Sequence, residues 1–122
     1  MFVGPVERAH DGGDGGAEHR PGAPVLCTEY GGVNIKGGSG GSTEKDWGYT
    51  TASDPNDLLA RIETLTHGLV KGGHVCGLVY TQIVDVEQEV NGLLTFDREE
   101  KLEAGKVKVL IEEAKRIYYS TL

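Results

Sequence analysis

The chain has 122 residues, enough for one ordinary domain with one core, and its 38% hydrophobic and 25% charged composition is that of a globular chain. The formal net charge of -7 argues against nucleic acid and against anionic membrane surfaces, because both are bound through basic footprints. No apolar run is long enough to span a bilayer, and no basic n-region followed by an apolar h-region opens the chain. A soluble protein without a signal peptide is therefore expected, and the compartment stays open.

Residues 1–23, with Asp11-Gly12-Gly13-Asp14-Gly15-Gly16, carry no periodicity and read as a flexible, Gly-rich lead-in. His10, Asp11, Asp14 and His19 are potential metal ligands by type, but His residues among glycines are ordinarily solvated, and no metal is expected. Residues 24–122 form the structured part. Pro24 to Glu29 is a short apolar run ending in a carboxylate before Tyr30-Gly31-Gly32, the pattern of a buried strand stopping at a turn.

Residues 31–53 are rich in Gly and Ser and contain the single tryptophan, Trp47. A connection this long suggests a functional or flexible loop. Ser53 or Asp54, Pro55 and Asp57 then make a helix start. Leu58, Ile62, Leu65, Leu69 and Val70 recur at helical spacing until Lys71-Gly72-Gly73. His74 to Ile83 predicts a second strand, apolar almost throughout, as expected when both faces are covered. The polar stretch Asp85 to Gly92 follows. Residues from about 103 to 119 carry Val107, Leu110, Ile111, Ala114, Ile117 and Tyr118 on one face of a second helix. Cys27 and Cys76 lie in these strands and are expected to be two buried thiols, not a disulfide.

Strand, helix, strand, helix is a parallel βα arrangement, right-handed by strong preference. Two such units neither close a barrel nor cover both faces of a sheet. A complete (β/α)8 barrel takes ~250 residues, and the chain holds about two of the eight repeats. The expected class is α/β, with the open apolar edges of an incomplete sheet.

Glu29 is the sharpest candidate for chemistry, since C-terminal strand ends of a barrel face the active site. A carboxylate beside glycines suits attack on an anomeric carbon; a solvated strand-end Glu is the alternative. Tyr80, Thr81 and Gln82 end the second strand in the same way and are expected beside Glu29, either contacting a sugar or packing as a barrel-top layer. Trp47 is either a sugar-stacking platform or a loop anchor under the first helix. Asp85, Glu87 and Glu89 offer oxygen ligands to a cation but lack EF-hand spacing, so a loop-ordering role is favoured. Gly37 to Lys45 lacks the Gly-Lys-Ser/Thr ending of a phosphate loop, and no dinucleotide spacing occurs, so no cofactor is indicated.

The order of Thr28-Glu29-Tyr30-Gly31-Gly32, Trp47-Gly48-Tyr49, a helix, Tyr80-Thr81-Gln82 and Asp85 to Thr95, with Asp97-Arg98 soon after, resembles the last two βα repeats of the catalytic barrel of glycoside hydrolase family 2. That family includes β-galactosidases, β-glucuronidases and β-mannosidases. The resemblance covers about residues 24–118. It implies a partial TIM barrel from a retaining exo-β-glycosidase, acting on the O-glycosidic bond of a β-glycoside, with Glu29 as nucleophile. It implies that Tyr80, Thr81 and Gln82 line the subsite of the cleaved sugar. The family's acid/base is the Glu of an Asn-Glu pair, and the chain contains no Asn-Glu dipeptide. The chain alone is therefore expected to be inactive. The alternatives are a non-catalytic sugar-binding or self-associating remnant, or a piece that complements a separately encoded barrel half.

Overall fold

The computed structural model describes residues 22–35 and 50–122. Trp47, the discounted ligand types His10, Asp11, Asp14 and His19 and almost all of the 1–23 lead-in lie outside the described residues.

The described chain is mixed α/β. Its elements are β1 (Val25–Gly31), β2 (Val33–Ile35), β3 (Thr50–Ala52), α1 (Pro55–Lys71), β4 (Val75–Thr81) and α2 (Ala104–Ser120). β1 pairs with β4 in parallel, and β2 pairs with β3 in parallel. The unit β1-α1-β4 is the expected parallel crossover. β2 and β3 are an addition: the expected loop of residues 31–53 begins and ends with three paired residues on each side, Val33↔Thr50 to Ile35↔Ala52. No barrel closes among the described residues.

α1 begins as its sequence dictates. The Asp54 side chain accepts the Asp57 N–H at 2.9 Å, Pro55 occupies the first turn, and the Asp57 carboxylate accepts the Ser53 N–H at 2.9 Å. The Arg61 guanidinium beside Asp57, with the Ser53 N–H, holds that carboxyl below its ordinary range. Leu58, Ile62, Leu69 and Val70 are buried along one stripe. Leu58 and Ile62 pack with Val33, Ala52, Leu102 and Leu110 of α2 in one core, and Cys27, Tyr30, Leu69 and Val75 form a second core between α1 and the sheet.

The β1–β4 register slips and recovers. Val25 faces Val75, Leu26 faces Gly77, Cys27 faces Leu78 and Tyr30 faces Tyr80. One extra residue, Cys76, bulges from β4, and one extra residue in Thr28-Glu29 bulges from β1. The bulge corrects the expectation of two buried thiols. Cys27 is 5% exposed in the second core, whereas Cys76 is exposed. β4 is also not covered throughout: Val75 is buried, but Val79 is 55% exposed, as Leu26 of β1 is at 60%. The sheet thus has one face under α1 and one bare apolar face.

Candidate functional site

β1 does not stop at Glu29. It runs two residues further, to Gly31, and the β1 bulge falls on Thr28-Glu29. Bulges re-aim the side chains they carry. Strict alternation would give Cys27 and Tyr30 opposite faces. The extra residue instead lets both reach the core, and Glu29 lies half-buried between them. In register, Glu29 adjoins the Tyr30↔Tyr80 pair at the C-terminal end of both strands. Sequence reasoning expected Glu29 and Tyr80 to Gln82 together at one rim, and they share that end of the sheet.

Gly31 explains how closely the two strand ends meet. Its φ is 110°, in a region that favours glycine, and a Cβ there would stand 2.7 Å from the Thr81 carbonyl oxygen and 2.7 Å from the Tyr80 ring. The Gly32 N–H then donates to the Thr81 carbonyl at 2.9 Å, closing the strand ends together.

Tyr80 is packed inward. Its ring meets that of Tyr30 edge to face at 5.3 Å and touches both cores. The Tyr30 hydroxyl is 3.1 Å from the Thr66 hydroxyl, which itself donates to the Ile62 carbonyl. The Tyr80 hydroxyl is buried and, among the described residues, has no hydrogen-bond partner; Asn34 Oδ1 is in the same state. Burial pushes the Tyr80 phenol well above the ordinary tyrosine range, and Tyr30 rises for the same reason, opposed by its Thr66 bond.

Thr81 is half-buried and joined to Gln82 by a cis peptide bond. Gln82 donates from Nε2 to Asn91 Oδ1 at 2.8 Å and to Glu89 Oε2 at 3.2 Å. Its carbonyl accepts the Leu93 N–H. Residues 82–103 therefore fold back onto the strand end.

A buried ion pair sits inside that loop. Lys101 Nζ lies 2.6 Å from Asp85 Oδ1, with side-chain exposures of 5% and 10%, and also donates to the Val90 carbonyl at 2.9 Å. Asp85 Oδ1 takes the Gly92 N–H at 2.8 Å as well. A Cβ at Gly92 would meet Asp85 N at 2.5 Å, so only glycine fits there. Of the acidic run, Asp85 orders the loop. Glu87 lies in a tight turn closed by reciprocal Val86 and Glu89 backbone bonds, and Glu89 reaches Gln82. No group of three or more potential metal ligands occurs among the described residues. Sequence reading missed Asn91 and Lys101 as parts of this assembly; the one signal was Asn91-Gly92 after a polar run.

A separate cleft of about 640 Å³ is lined by Gly31, Val33, Thr50, Ala60, Arg61 and Leu65, among others. Neither Glu29 nor Tyr80, Thr81 or Gln82 lines it. Its lining offers a surface ion pair, Arg61 with Asp57, and apolar side chains, but no nucleophile with a base. The strand-end rim is the better candidate site.

No family model matches the chain, and no curated protein matches it either. No described helix is long and apolar enough to cross a membrane.

Proposed function

We propose that the chain is part of the catalytic (β/α)8 barrel of a retaining exo-β-glycosidase of the family 2 type, with Glu29 as its nucleophile. The observation that carries the reading is the shared strand end. Glu29, on a bulge of β1, adjoins the end of β4 in a parallel sheet whose other face is bare and apolar. Parallel sheets are ordinarily covered on both faces, so Leu26 and Val79 exposed at 60% and 55% suit the inner face of a barrel that further strands would close around.

In such an enzyme two carboxyl groups stand ~5–5.5 Å apart. One attacks the anomeric carbon and the other protonates the leaving oxygen, then activates the water that releases the sugar. Glu29 takes the first role. Thr81 and Gln82 line the subsite of the cleaved sugar, with Tyr80 supporting them from below. The second carboxyl group comes from an Asn-Glu strand end that the 122 residues do not contain. Without it the leaving group receives no proton, and the chain alone does not turn over.

The test is the nucleotide sequence upstream of Met1. An open frame carrying an Asn-Glu strand end is expected. A stop codon and promoter immediately before Met1 would move the reading to a non-catalytic remnant or a complementing piece. Turnover of a β-glycoside by the purified chain, lost in Glu29→Gln, would overturn the prediction of inactivity.

The bare face favours one second reading, self-association through Leu26 and Val79. It predicts a concentration-dependent oligomer that Val79→Asp dissolves.

A further inference from the structure

Gln82 is anchored in an unusually definite way for a residue at a strand end. A glutamine amide has two N–H donors and one carbonyl acceptor. Both donors are used, one on Asn91 Oδ1 and one on Glu89 Oε2. Which end of an amide is oxygen must be read from its partners, and here Glu89 decides it. The carboxylate of Glu89 only accepts, so the opposite orientation would set oxygen against oxygen.

The partners are themselves fixed. Asn91 is 6% exposed. On one side of it the Val90 carbonyl takes Lys101, and on the other the Gly92 N–H is held by Asp85. The backbone of Gln82 is tied to Leu93. The buried Asp85–Lys101 pair thus holds the Asn91 acceptor, and Asn91 holds the Gln82 amide.

We infer that Asn91 and Glu89 are positioning residues that present the Gln82 carbonyl, not its NH2, toward a ligand at the Glu29 rim. The loop then offers an acceptor with the Glu89 carboxylate beside it, while Lys101 is consumed within the loop. A ligand donating hydroxyl hydrogens is accepted, and an anionic one is rejected. Resting on the glycosidase reading, this selects a neutral pyranoside over a uronic acid at that position.

The test uses the full 122-residue chain labelled with 15N. The Gln82 side-chain amide signals, assigned by their loss in Gln82→Met, are compared with those of exposed Gln88 in the same molecule. The Gln82 protons are expected to exchange with water at least tenfold more slowly. Asn91→Ala should abolish that protection, and Asn91→Asp, which keeps an acceptor, should restore it. Because Asn91 is buried, Glu89→Ala at an exposed position, which removes the acceptor, supplies a second variant, in which protection falls while the backbone spectrum is retained. Equal exchange of Gln82 and Gln88 in the unmodified chain would overturn the positioning role. The chain is then titrated with a methyl β-pyranoside and with the uronate of the same ring. Saturable shifts of the Gln82 signals, with the uronate at least tenfold weaker, are expected. A uronate that binds equally or better overturns the ligand selection. Protected Gln82 protons that neither sugar perturbs would overturn the glycosidase reading while the positioning role stands.

Discussion

Leu58 and Ile62 of α1 and Leu110 of α2 hold the helical layer over the sheet through apolar contact, whereas residues 82–103 turn around Asp85, Asn91 and Lys101. The two regions meet where Leu93 and Leu102 dock on the helical core. They bury their side chains for opposite reasons. An apolar layer tolerates exchange of one side chain for another of similar volume. The loop does not, because its buried polar atoms are matched to particular partners and cost energy when a partner is lost.

The largest effect that would sharpen this contrast is Asp85→Ala. It leaves the Lys101 ammonium buried with only the Val90 carbonyl and frees the Gly92 N–H. Breaking one side of a buried pair costs about 3–5 kcal/mol, and a loss in that range is expected from urea unfolding. Replacing both members together, Asp85→Leu with Lys101→Met, should cost less than the single change. If Asp85→Ala loses under about 1 kcal/mol, the loop is not held by its ion pair and the contrast fails.

The two regions also differ in how far they can be read without coordinates. α1 is legible because its cap, its proline and its apolar stripe are local, within a few residues of one another. The apolar runs of β1 and β4 are legible for the same reason. The slipped register is not, since Cys76 and Thr28-Glu29 bulge only in relation to each other across the sheet. Cys76 looked as buried as Cys27 for want of that information. β2 and β3 are three residues each and carry no periodicity to find. In the loop, Asp85 stood out by its charge, but its partner lies 16 positions away, and nothing in the spacing selects Lys101 over its neighbours. Glu29 was legible as a carboxylate near the end of an apolar strand, but not its place on a bulge with two strand residues beyond it, and the Asn91 hold on Gln82 was not legible at all.

A smaller effect tests the apolar side of the comparison. Leu58 is 1% exposed in the core, while Leu26 is 60% exposed on the bare face of the sheet. Leu58→Ala should lose about 3 kcal/mol through lost transfer energy and a residual cavity. Leu26→Ser should stay within about 0.5 kcal/mol of the parent, as surface changes do. Equilibrium unfolding of both variants at low protein concentration checks the pair. A loss above about 2 kcal/mol in Leu26→Ser would mean that the second face of the sheet is covered in solution, as an associated copy requires.

The smallest effect concerns the point at which the apolar layer takes in a polar group without satisfying it. Tyr30 and Tyr80 stack edge to face, but among the described residues only the Tyr30 hydroxyl has a partner, Thr66. An orphaned buried hydroxyl is destabilising, so Tyr80→Phe should gain about 1 kcal/mol at neutral pH, and Tyr30→Phe should lose about as much. Burial raises both phenols above their unfolded value of 10.0. The fold therefore prefers the protonated phenol. That stability is full below pH 10 and is lost as the pH climbs through the unfolded value toward the folded one. Tyr80→Phe removes the larger share of this alkaline sensitivity, so its advantage over the parent should widen between pH 7 and pH 10.5. Urea titrations at those two pH values measure both differences. A variant less stable than the parent at pH 7 would mean that the Tyr80 hydroxyl is satisfied, and an advantage that stays constant with pH would mean that the phenol titrates as an exposed one.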